Sequence, residues 1–186
     1  MPTYISLLRA VNVGGKNQIK MDALRGLYES LKFSNVQTYI QSGNVVFKTK
    51  AQSRLAERIE LAIENEFRFR PSVILRTAKQ MRTIVNASPF LNRPGIEPSR
   101  LLVTFLTDDS GIDPSAAARA KVLANKAEPE EMHLRDREIY TYYPNGMAQP
   151  KLSMAHVERI LNVPCTGRNW NTVLKLLEMA DALNGL

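Results

Sequence analysis

With one cysteine, two histidines and one tryptophan in 186 residues, the chain is short of several kinds of chemistry at once. The lone Cys165 excludes a disulfide framework, and His133 and His156 are too few for a Cys/His zinc cluster. Carboxylates form no paired constellation. Asp108-Asp109 has the character of a turn, and Glu128, Glu130 and Glu131 flank Pro129, so no metal and no cofactor is expected. No apolar run approaches the roughly 18 residues of a membrane helix. The start Met1-Pro2-Thr3-Tyr4 has neither a basic segment nor a cleavable apolar stretch. These absences together lead us to expect a reduced, soluble, cytoplasmic protein without a membrane partner.

Apolar residues make up 44% and charged residues 23%, the usage of an ordinary globular chain. Folding at this length buries roughly 70% of the extended chain's surface, enough for one or two cores. The net charge of +7 is unevenly placed. Residues 1–100 hold 16 Lys+Arg against 7 Asp+Glu, whereas residues 101–186 hold 9 against 11. The basic excess thus belongs to the first half. Either that half presents a positive surface to phosphate or another anion, or the charge serves solubility alone.

Hydrophobic periodicity gives an element order. Thr3 to Arg9 suits a central strand, followed by the loop Val11-Asn12-Val13-Gly14-Gly15-Lys16-Asn17. Met21, Leu24, Leu27, Tyr28 and Leu31 recur at helical spacing over 21–32. Val36–Gln41 and Asn44–Lys48 flank Ser42-Gly43 as a hairpin. Thr49 and Gln52 offer a capping box for a helix carrying Leu55, Ile59, Ile63 and Phe67. Ser72–Arg76 is the next strand, and Thr77 with Gln80 caps a short helix over 78–86. Pro89, Pro94, Gly95 and Pro98 then mark a linker at 87–99.

The order repeats beyond it. Leu101–Thr107 is a strand, and Asp113 caps a helix that begins with Pro114 and runs to Ala124. Glu131–Leu134 and Glu138–Tyr143 form a hairpin around Asp136, and Ser153 caps a helix. Val163–Thr166 is a short last strand, and a final helix runs from Asn169 to Leu183. The expected fold class is α+β, as tandem ferredoxin-like (split β-α-β, alpha-beta plait) domains at 1–86 and 100–186. One larger mixed sheet is the alternative.

Three strings carry a family resemblance: Leu8 to Asn17, Thr38 to Phe47, and Thr166 to Val173. On these, with Met21 to Leu24, the chain resembles the bacterial family known as domain of unknown function 1697. The resemblance implies a pair of ferredoxin-like domains and a set of candidate residues; it brings no reaction or ligand with it. Lys32 stands before Phe33 where the family pattern leads one to expect glycine, which makes a poorer helix C-cap.

The candidate site residues are Asn12, Gly14, Gly15 and Lys16, with Arg168 and Asn169 near the start of the last helix. Backbone N–H groups at a glycine loop, a helix N-terminus and one lysine suit an anion. The loop is neither a Walker A nor a G-x-G-x-x-G motif, and glycine is equally needed for its path alone. Arg168 would bind a phosphate or carboxylate, or pair with an acidic side chain. Ser42 has no neighbouring base and is a poor nucleophile. The RNA-recognition signature is not kept, although Tyr39 and Phe47 remain as candidate stacking residues. The expected function is binding of a phosphate-bearing ligand, a nucleotide-like small molecule or nucleic-acid backbone. An enzyme acting on a phosphorylated metabolite between domains and a protein-interaction module are the alternatives.

Overall fold

The chain folds as a mixed α+β protein with two four-stranded antiparallel sheets and six helices, in a computed structural model that describes residues 1–107 and 114–185. Packing divides it into a first unit, Met1–Arg82 with Lys175–Leu186, and a second unit, Thr83–Leu174. The division falls within two helices, and the proline-rich stretch 87–99 belongs to the second unit.

In the first unit the elements are β1 (Thr3–Leu8), α1 (Met21–Ser30), β2 (Ser34–Tyr39), β3 (Asn44–Lys48), α2 (Leu55–Phe67), β4 (Val73–Thr77) and the start of α3 (Ala78–Asn86). The sheet order is β2-β3-β1-β4, so each helical crossover skips a strand that fills the gap between. Leu24, Tyr28, Ile59 and Ile63 pack from α1 and α2 onto Leu8, Val45, Phe47 and Val73. Phe47 stacks on Phe33 at 4.7 Å and meets Tyr28 edge-on at 5.2 Å. It is fully buried, so of the two candidate stacking residues Phe47 cannot stack a base.

Two caps differ from expectation. Thr49 and Gln52 bond to each other side chain to side chain, and α2 begins later, after the left-handed Arg54. Lys32 has φ +64°, the left-handed position beyond α1 that glycine occupies at least cost. The box at Thr77 and Gln80 forms as expected: the Thr77 N–H donates to Gln80 Oε1 at 2.8 Å, and the Gln80 N–H to Thr77 Oγ1 at 3.2 Å.

The second unit holds the rest of α3, a 3₁₀ turn at Pro98–Arg100, β5 (Leu101–Leu106), α4 (Ala116–Ala124), β6 (Glu131–Arg135), β7 (Glu138–Tyr142), α5 (Met154–Leu161), β8 (Cys165–Asn169) and the start of α6 (Trp170–Asn184). The sheet order is β6-β7-β5-β8. Ser115 caps α4 by accepting from the Ala118 N–H; the expected cap, Asp113, lies outside the described residues, as does the Asp108-Asp109 turn. Ser153 caps α5 as expected. The last strand lies later than expected and takes in Gly167, Arg168 and Asn169. The proline-rich stretch is folded into this unit: Phe90 is buried edge-on to His133, Arg93 makes two bonds to Glu131, and Tyr142 donates to the Gly95 carbonyl.

The two sheets correspond residue by residue. Ile5 opposes Val46 and Arg76 in the first, and Val103 opposes Tyr140 and Arg168 in the second. At one strand end the Leu8 N–H donates to Gly43 O and the Leu106 N–H to Arg137 O, each at 2.9 Å. Beside them Arg9 donates to Ser72 O and Thr107 to Pro164 O. Register therefore makes Arg76 the counterpart of Arg168, Ser6 of Thr104, Asn44 of Glu138 and Gly43 of Arg137. All but the last pair are buried polar residues.

Candidate functional site

The loop between β1 and α1 is built on Asn12. Its Nδ2 donates to the carbonyls of Ile19 at 3.0 Å and Gln41 at 2.8 Å, and its Oδ1 accepts from the Ile19 N–H at 2.8 Å. One amide thus ties the β1–α1 loop to itself and to the β2–β3 turn. Between Asn12 and Asn17 the chain forms a small exposed tongue. The Asn12 N–H donates to Asn17 O, and the Lys16 N–H to Val13 O, both at 3.1 Å. Gly14 at φ +59° and Gly15 at φ +75° turn the corner with both central residues left-handed, a type I′ geometry. A Cβ on either would meet nothing within 4 Å, so backbone conformation alone accounts for the two glycines.

Strain collects around this tongue. Ala10, Asn12, Asn17 and Ile40 all have positive φ near +50°, and Ile40 is β-branched, for which that conformation is costly. Val13 and Ile40 are also exposed, at 64% and 49%. An open depression of about 660 Å³ lies alongside, lined by Asn12, Gln18, Ile19, Lys20, Met21, Asp22 and Gln41. The first N–H groups of α1 have no side-chain cap there. Asp22 in that first turn is engaged by Arg25 at 3.2 Å. The Lys16 and Lys20 ammonium groups have no protein partner among the described residues.

The six candidates fall into two groups: Asn12, Gly14, Gly15 and Lys16 lie in the first unit, Arg168 and Asn169 in the second. Arg168 is the fourth residue of β8 and not the residue preceding a helix. It is 6% exposed, and its Nη1 donates to Thr166 Oγ1 at 2.8 Å and to the Gly167 carbonyl at 2.9 Å. Burial lowers its pKa to about 10 by disfavouring the charged form. Its counterpart Arg76, 3% exposed, donates to the preceding Leu75 carbonyl in the same way. Asn169 is the N-cap of α6, accepting from the Asn171 N–H at 3.0 Å while its Nδ2 donates to Ser99 O at 2.7 Å. Cys165 is buried, with Sγ 3.8 Å from Glu158 Oε2. Ile40 and Gln41, expected within a strand, lie instead in the β2–β3 turn, because β2 ends at Tyr39; their β-forming composition hides the longer turn from the sequence.

The family model described as "Protein of unknown function (DUF1697)" matches residues 1–140. The chain belongs to this family. A solved structure, that of the conserved bacterial protein SP0830 from Streptococcus pneumoniae, is similar over 97% of this chain and 99% of its own, at 25% identity and TM-score 0.75. No curated protein matches. The DUF1697 match takes in the tongue, the β2–β3 turn and the whole first sheet, while β8 and Arg168 lie beyond it.

Proposed function

We propose that this DUF1697 protein binds a phosphate-bearing ligand on the loop end of its first unit, and that both units are ferredoxin-like plaits. The sheet orders support the plait: β2-β3-β1-β4 and β6-β7-β5-β8 are the same interleaved split β-α-β arrangement. The ligand reading rests on one observation. Where the first unit departs from its repeat, the departures are bonded to each other. Twelve residues separate Leu8 from Met21, against nine between Leu106 and Ala116, and four residues turn between β2 and β3 where Asp136-Arg137 suffice in the second unit. Asn12 joins the two additions through Gln41.

Charge supports the same place. The first unit carries 15 Lys+Arg against 8 Asp+Glu, the second 10 against 10, so the whole excess of +7 resides in the first. Lys16 and Lys20 supply cations, the α1 N-terminus supplies N–H groups, and Gln18 and Gln41 offer amides around the depression. Asn12, Gly14 and Gly15 shape the loop. Arg168 and Asn169 act locally, in β8 and at the α6 cap.

Thermal unfolding in the presence of inorganic phosphate and of nucleoside mono- and triphosphates tests this reading. A ligand at about 100 times its Kd raises stability by about 2.7 kcal/mol. The Lys16→Ala/Lys20→Ala protein is expected to lose that gain while folding normally. A gain that survives both substitutions overturns the proposal.

A further inference from the structure

We propose that the phosphate-bearing ligand is a nucleic-acid duplex, and that the Asn12–Asn17 tongue enters its major groove at A·T pairs. This rests on the phosphate-binding reading above and names the ligand class for the same end of the first unit. Three observations select it. First, every exposed large apolar residue among those described is aliphatic: Met1, Val13, Ile40, Leu61, Leu91, Leu123 and Leu174. Single strands are held by bases stacked on exposed aromatics, and among the described residues every aromatic is buried or half-buried, Tyr39 beside Ile40 included.

Second, the dimensions of the tongue choose a groove. It is a short hairpin whose arms meet at a single bridge, Val13–Lys16, below which the Asn12 N–H donates to Asn17 O. A two-stranded ribbon fits the major groove, about 12 Å wide, and is too broad for the minor groove of about 6 Å. Two residues per arm reach at most roughly 7 Å, within the major groove's depth of about 8.5 Å. A Cβ on Gly14 or Gly15 would meet nothing within 4 Å among the described residues, so the tip itself is uncrowded.

Third, the side chains around the ribbon are those the groove calls for. Lys16 in the tongue and Lys20 beside it are both exposed and available to phosphates. Gln18 and Gln41 carry amides that suit the adenine N6/N7 edge, and neither side chain is engaged among the described residues. Val13 and Ile40 are aliphatic and exposed, the character that contacts a thymine methyl. Ile40 is held at φ +48°, costly for a β-branched residue, with 49% of it left exposed for a methyl contact with a partner.

The test is fluorescence anisotropy of the full chain with a labelled A·T-rich duplex, the same duplex with uracil in place of thymine, and its separated strand. Binding is expected to fall with salt at a log–log slope of about −2, set by two lysines. Uracil substitution is expected to weaken binding about fourfold for each methyl contacted, and Val13→Ser/Ile40→Ser to abolish the difference between the two duplexes. Lys16→Glu/Lys20→Glu is expected to abolish binding, with circular dichroism confirming the fold. Equal affinity for the thymine and uracil duplexes, tighter binding of the single strand, or no duplex binding at 50 mM salt overturns the inference. If phosphate compounds still stabilise the protein when the duplex does not bind, the phosphate reading stands and only the duplex is wrong; if neither binds, both fail.

Discussion

The first and second units share a strand register and differ in what they hang on it. At one shared position the Leu8 and Leu106 N–H groups bond the carbonyls of Gly43 and Arg137. The second unit tolerates a long side chain there, whose Nη1 reaches the Thr107 carbonyl. The first unit does not: a Cβ on Gly43 would lie 2.9 Å from Leu8 Cβ and 3.4 Å from Val11 Cβ, at φ +72°. The glycine lets the enlarged β1–α1 loop close over the hairpin, so the scaffold is common and the crowding is specific to the elaborated end.

The largest expected effect comes from exchanging these two residues. Gly43→Arg adds overpacking of about 1–3 kcal/mol to a left-handed penalty of about 1–2 kcal/mol. Arg137→Gly removes the hydrogen bond to the Thr107 carbonyl, worth about 1 kcal/mol, with no overpacking. Urea unfolding should show the first variant far less stable than the second, and equal losses would break the comparison.

Next comes Asn12→Ala, which removes all three side-chain bonds and leaves alanine at φ +56°, for a loss of about 2–3 kcal/mol. Hydrogen exchange should show residues 9–20 and 40–43 losing protection together, with the second unit unchanged. Independent opening of the two loops would deny that Asn12 couples them.

A smaller effect appears at alkaline pH. Burial pushes the Tyr143 phenol up to about 12, against about 10 in the unfolded chain. Between those values the unfolded chain loses its proton first, so stability falls as pH rises, by up to about 1.4 kcal/mol per pH unit for one group. Tyr28 in the first unit is raised in the same direction by burial, opposed by its bond with Ser6 Oγ. Tyr143→Phe should flatten the decline between pH 10 and 12, read by urea unfolding at each pH; an unchanged slope would show that Tyr143 takes no part.

The smallest expected effect concerns helix ends. α2 and α5 both close on a left-handed residue, Arg68 at φ +65° and Asn162 at φ +53°, whose N–H groups donate to Glu64 O and Glu158 O. Asparagine tolerates this conformation better than arginine. Arg68→Asn should therefore gain roughly 0.5 kcal/mol and Asn162→Arg lose as much in thermal melts. Shifts of the same sign would separate the two caps.

Much of this scaffold is legible in the chain because its signals are local. The Leu55, Ile59, Ile63 stripe, the Thr77–Gln80 box and the Ser153 cap each depend on residues within a turn or two. β8 was misplaced because Gly167-Arg168-Asn169 has loop composition; only pairing with Leu102–Thr104 makes it a strand. The same pairing buries Arg168, which its sequence neighbours would not suggest. At the candidate site Gly14 and Gly15 announced a turn, but Asn12 meets Gln41 across 29 residues, and no local pattern encodes that bond.

The interrupted membership of the first unit has a consequence for synthesis. Its strands are made first, yet it includes Lys175–Leu186, and the Thr3 hydroxyl bonds Asn184 Oδ1 at 2.7 Å. The second unit is one uninterrupted run, Thr83–Leu174. On the ribosome the later-coded unit therefore has all its residues before the earlier one does. The nascent first sheet must wait, with its basic loops already outside the exit tunnel, for a segment translated about a hundred residues later.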